Sequence, residues 1–152
     1  MTALPASDNG PAFARAACGG LSFRLAGTRA VLRASAALWL PKSRTLCAGD
    51  LHFEKGSSYA ARGQMLPPYD THETLSRLEM EAEQLAPATI VLLGDSFHDD
   101  QAEARMDPDA AARIARLAYG RSLVWIVGNH DEDGPRHLPG DCARHIPLAC
   151  LA

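Results

Sequence analysis

Much that would place a chain in a special class is missing from these 152 residues. The four cysteines, Cys18, Cys47, Cys142 and Cys150, form no Cys-x-x-Cys pair, no zinc-ribbon spacing and no dense disulfide pattern, so reduced thiols in a cytoplasmic protein are expected. No stretch approaches the roughly 18 uninterrupted apolar residues of a membrane span. The apolar segment 12–17 is short and broken by Arg15, which does not make a secretion signal. A net charge of -3 argues against a strongly basic nucleic-acid surface, so any phosphate partner needs a local positive source. Aromatics amount to 6%, and internal repeats and low-complexity tracts are absent.

What remains is an ordinary globular profile, 47% hydrophobic and 22% charged, sufficient for one core. Residues 1–20 mix Pro, Ser, Asp, Asn and Gly and read as a mobile N-terminal leader; residues 21–152 read as one domain. Leu21–Ala26 and Arg29–Leu40 flank a Gly27-Thr28 turn as hairpin-like edge strands. Buried strands are predicted over Thr45–Ala48, Thr89–Leu93 and Leu123–Val127, with a loop over Gly56–Tyr69. One helix starts at Asp70, with Glu73 in capping-box spacing, an apolar face of Leu75, Leu78, Ala82 and Leu85, and a stop at Pro87. A second starts at Asp107-Pro108, presents Ala110, Ile114 and Leu117, and closes at Gly120. Strands alternating with helices predict an α/β fold with a parallel sheet.

Each buried strand is followed at once by a short polar motif: Gly49-Asp50-Leu51-His52, Gly94-Asp95-Ser96-Phe97-His98-Asp99 and Gly128-Asn129-His130-Asp131. The ends of parallel strands are where open α/β sheets place their chemistry. A lone Gly-Asp after a strand is ordinarily a turn; three such motifs in succession point to metal. Asp50 and His52 supply oxygen and nitrogen to one divalent ion. Asp95 can bridge two cations about 3.5–4 Å apart, and Asn129 offers the second a neutral oxygen. His130 is better used to protonate a leaving oxygen. Two dications less Asp50, Asp95 and one hydroxide leave about +1, enough to attract a diester monoanion. The implied reaction is in-line attack on phosphorus by a metal-bound hydroxide, and the mixed donors favour Mn, Fe or Zn.

These residues resemble the calcineurin-like metallophosphoesterases, whose motifs run Gly-Asp-x-His, Gly-Asp-x-x-(Asp/Arg), Gly-Asn-His-(Asp/Glu), then a lone His and Gly-His-x-His. Residues 49–56, Leu66-Pro67-Pro68-Tyr69-Asp70 with Glu73-Thr74-Leu75, and residues 93–98 are further similar to the ligase-associated DNA damage response endonuclease (PdeM) group. The resemblance implies an αββα sandwich and two metal ions, commonly Mn. It places Asp50 and His52 on the first ion, Asp95 on both and Asn129 on the second. His130 becomes the general acid, with Asp99 or Asp131 as its orienting partner. The substrate it implies is a phosphodiester, DNA in a repair context, with a DNA-repair ligase or helicase as associate.

After His130 only His137 and His145 remain, neither in a Gly-His-x-His setting, so the fold is expected to be C-terminally incomplete, with weakened metal binding and activity. His137 reads as a solvated loop residue and His145 as part of a short strand. Two alternatives stay open: the same machinery acting on a small phosphoester, and a non-catalytic remnant serving as a binding element. Lys55 and His98 read either as neighbours of the site or as surface and packing residues, and Phe53 and Tyr59 either as a base-stacking pair or as core. His72 is expected on the surface, with Trp39 and Trp125 in packing positions.

Overall fold

The computed structural model describes residues 13–64, 69–128 and 134–147. All described strands join one eight-stranded sheet in sequential order: β1 (Phe13–Arg15), β2 (Leu21–Leu25), β3 (Thr28–Leu32), β4 (Leu38–Leu40), β5 (Thr45–Ala48), β6 (Thr89–Leu93), β7 (Ser122–Ile126) and β8 (Asp141–Ala143). The first five form an antiparallel meander, and β5 to β8 run parallel. The helices α1 (Lys55–Ala61) and α2 (Asp70–Leu85) lie between β5 and β6; α3 (Ala102–Arg105) and α4 (Pro108–Ala118) lie between β6 and β7. This is the expected α/β architecture.

Alternation along the parallel strands divides the core between the two faces of the sheet. Leu46, Ile90, Leu92, Leu123 and Trp125 pack with Leu75, Leu78 and Ala82 of α2 and Ala110, Ile114 and Leu117 of α4. The intervening Cys47 and Val91 cluster instead with Ala30 and Leu40, and partly buried Phe23, Leu38, Val124 and Ile126 pack beside them. Burial pushes the Cys47 thiol up to about 11, so it is an inert packing group.

β5 and β6 fall where the sequence placed them, and β7 starts one residue earlier. Asp107 caps α4 by accepting from the Asp109 amide at 2.7 Å, ahead of Pro108.

Several expectations are corrected. Residues 13–20, assigned to the leader, form β1 and the turn into β2, with Phe13 paired to Phe23. The single strand expected over Arg29–Leu40 is two, β3 and β4, separated by a turn with Ala36 at φ 67°. The loop expected from Gly56 contains α1, because Asp70 accepts the Gly56 amide at 3.0 Å and Ser58 is buried against its neighbours. That contact takes Asp70 away from capping α2, which has no side-chain cap. Phe53 is 1% exposed and belongs to the core, so it is not a stacking platform. His145 lies beyond β8, exposed and off any strand. His137 is exposed, as expected.

Candidate metal centre

The loops after β5 and β6 are held together as an extension of the parallel ladder. The amides of Asp50, His52 and Phe53 donate to the carbonyls of Gly94 (3.3 Å), Asp95 (3.0 Å) and Ser96 (2.8 Å), and the His98 amide returns a bond to Phe53 (3.0 Å). The chain achieves this by placing Asp50, His52 and Glu54 at positive φ on one side, and Gly94 and Asp95 on the other. Asp and His tolerate this left-handed region better than most side chains, and clusters of such strain mark functional sites. Gly49 passes so close to β6 that a Cβ there would meet the Leu93 carbonyl oxygen at 3.1 Å.

The result is that Asp50, His52 and Asp95 each present one ligand atom within 4.8 Å of the others. Donors about 2.0–2.2 Å from one ion stand at most about 4.4 Å apart, so the set fits a single divalent cation after adjustments of a few tenths of an ångström. Two oxygens and an imidazole suit Mn, Fe or Zn. Asp50 is exposed, whereas His52 and Asp95 are half-buried, so the site opens outward from the sheet edge. Of the other residues expected in the site, Asn129, His130 and Asp131 lie outside the described residues.

Beneath the loops is an aromatic floor. Phe53 meets Phe97 edge-on at 6.2 Å, Phe97 stacks on Trp125 at 5.4 Å, and the Trp125 indole donates to the Pro139 carbonyl at 2.9 Å. Trp125 thus has the packing role its sequence context indicates, and Trp39 packs partly buried against the same core. Above the floor, His98 lies edge-on to His52 at 6.0 Å and faces Tyr59 at 5.8 Å. Burial, with His52, Lys55 and Arg62 nearby, holds the His98 imidazole below its ordinary value against the pull of Asp99. Lys55 is exposed.

Asp99 is engaged locally. Both its oxygens receive Arg105 Nη2 at 2.9 Å, and Oδ1 also accepts the Gln101 amide at 3.0 Å. Burial opposes its ionisation, but Ser58, Arg105 and the Gln101 amide outweigh that and keep its pKa low. Arg105 also donates to Ser57 at 3.2 Å, so it ties α1 to the loop after β6.

Two further features carry no signal in the sequence. Glu103 accepts the amides of Arg136 (2.8 Å), His137 (2.7 Å) and Leu138 (3.0 Å), fastening the segment before β8 to α3. Beside Asp50, a cavity of about 190 Å³ opens between the β3–β4 turn, the loop after β5 and α2. Glu81 lines it, bound to Arg33 Nε at 2.7 Å and to the Ser35 hydroxyl at 2.7 Å. His72, expected on the surface, bridges Asp107 at 2.9 Å and Arg113 at 3.1 Å.

A family model described as calcineurin-like phosphoesterase matches residues 43–151. Among solved structures, the crystal structure of nuclease MPE from Pseudomonas putida is similar at a TM-score of 0.63 and 27% sequence identity. The likeness covers 82% of this chain and 59% of that one, so the chain spans less than two thirds of the nuclease's length. None of the curated proteins compared matches it. No helix among the described residues is long and apolar enough to cross a membrane.

Proposed function

The chain belongs to the calcineurin-like phosphoesterase family, and from that premise we propose that it hydrolyses phosphodiester bonds, with DNA as the substrate and divalent metal as cofactor. The observation that carries this reading is the convergence of Asp50, His52 and Asp95 ligand atoms within 4.8 Å at the ends of adjacent parallel strands. The nuclease MPE likeness supports a nucleic-acid diester over a small phosphoester.

In this reading Asp50 and His52 hold one cation, Asp95 is shared, and Asn129 serves the second. Bound there, the pair of cations supplies Lewis-acid stabilisation of charge on the phosphoryl oxygens and lowers the pKa of a water; Mn is the expected metal, with Fe or Zn as substitutes. The chain's own groups do the rest. The zippered loops fix the ligand carboxylates before substrate arrives, so little reorganisation accompanies the reaction. His130 donates the proton that the leaving oxygen needs as the P–O bond breaks, with Asp131 or Asp99 orienting it. Water adds across that bond, leaving a phosphate monoester on one product and a hydroxyl on the other. A cytoplasmic location and work beside a DNA-repair ligase or helicase complete the proposal.

Hydrolysis of bis-p-nitrophenyl phosphate and nicking of plasmid DNA, each followed as Mn is titrated into metal-stripped protein, test this reading. Metal-dependent turnover of both is the expected result. Turnover of neither, with no ion bound per chain, would favour the alternative of a non-catalytic binding element.

A further inference from the structure

We propose that the cavity beside Asp50 is a subsite for the nucleotide unit next to the scissile phosphate, with Arg77 at its rim binding that unit's outer phosphate. This rests on the phosphodiesterase reading for its orientation, because Asp50 both lines the cavity and supplies a ligand atom to the candidate metal centre. The cavity therefore adjoins the position a bound phosphate would take on the Asp50 side.

The lining suits a nucleoside. Ala37, Leu51 and Leu78 offer apolar faces, and Thr74 brings a hydroxyl. At about 190 Å³, the space is below the roughly 300–1,000 Å³ of drug-sized sites, so it takes the base or the sugar of one such unit, with the rest at its open mouth, and not a longer segment. Glu81 adds no free negative charge, since Arg33 and Ser35 engage its two oxygens. Arg77 is different. Its side chain is 67% exposed and pairs with Glu73, one helical turn away on α2. An exposed i,i+4 pair of this kind is weak, so a phosphate competes readily for the guanidinium, which suits bidentate contact with phosphate oxygens.

The test is equilibrium binding of a fluorescent single-stranded oligonucleotide to the full chain by anisotropy over a salt series, with Arg77→Gln, Glu73→Gln and Thr74→Met. Arg77→Gln is expected to weaken binding about tenfold and to lower the slope of log K against log salt by about 0.7, the value of one single-strand phosphate contact. Glu73→Gln, which releases Arg77, should tighten binding. Thr74→Met, which fills the cavity, should lower kcat/KM for thymidine 5′-(p-nitrophenyl) phosphate about tenfold relative to methyl p-nitrophenyl phosphate. An unchanged salt slope in Arg77→Gln overturns the inference, as does absence of oligonucleotide binding by the parent chain. If the parent chain hydrolyses no diester but Arg77→Gln still lowers the slope, the phosphodiesterase reading fails and with it the placement beside a scissile phosphate, leaving Arg77 as a nucleotide-phosphate contact alone; hydrolysis with an unchanged slope overturns the subsite and leaves that reading intact.

Discussion

His52 and Asp95 meet twice. The His52 amide donates to the Asp95 carbonyl at 3.0 Å, and their side chains present ligand atoms to a common point. The backbone bond sets the separation of the two loops, so the side-chain geometry follows from the sheet.

Asp95→Asn keeps a residue that tolerates φ 46° while removing a carboxylate charge from the ligand set. Mn affinity measured by calorimetry should fall by at least about tenfold, and diester turnover by about a hundredfold or more. The thermal midpoint of the metal-free protein should stay within a few degrees of the parent.

Gly94→Ala places a Cβ at φ 69° and 3.4 Å from the Gly128 Cα. The left-handed conformation alone costs about 1–2 kcal/mol. For a domain of this size that is a fall of roughly 2–8 °C in Tm, readable by differential scanning calorimetry. Because Gly94 accepts the Asp50 amide, Mn affinity should drop in the same variant.

Acid stability should depend on Glu103. Burial raises its pKa, but the amides of Arg136, His137 and Leu138 outweigh that and leave it depressed in the folded state. A depressed carboxylate contributes stability above its unfolded value of about 4.3, and that contribution is lost as pH falls through the folded value. Urea denaturation at pH 7 and pH 3 should show Glu103→Gln destabilised at pH 7 by no more than about 1 kcal/mol, the bonds being largely exposed, with the difference from the parent smaller at pH 3.

Phe97→Ala removes a ring that touches both Phe53 and Trp125 and is 3% exposed. A loss of about 3–5 kcal/mol in unfolding free energy is expected. Since Phe97 lies two residues past Asp95, Mn binding should weaken along with stability.

Legibility in the sequence followed the range of the interactions. β5 and β6 were read to the residue because each is a short apolar run buried on both faces and ended by Gly-Asp or its neighbour. α4 was legible because its cap, its Pro108 and its apolar stripe all lie within one segment. α1 was not, since Gly56, Ser57 and Ser58 are weak helix formers and the helix depends on Asp70, fourteen residues away. β8 has no signature of its own because three residues carry no periodicity; its register against Val124–Ile126 defines it. Asp50, His52 and Asp95 were recognisable from donor type at strand ends. Arg77 was not, because nothing in the spacing of α2 says that this helix passes beside the loop after β5.

The strand order has a consequence for how the molecule is made. Every described strand after β1 pairs with the one synthesised just before it, so none has to be inserted between finished neighbours. Pairing between sequence neighbours lets the sheet close without threading a strand between two that are already bonded. The Asp50 and His52 loop, made first, takes its final form only when the Asp95 loop supplies the carbonyls that hold it, so the ligand set closes in a single docking step.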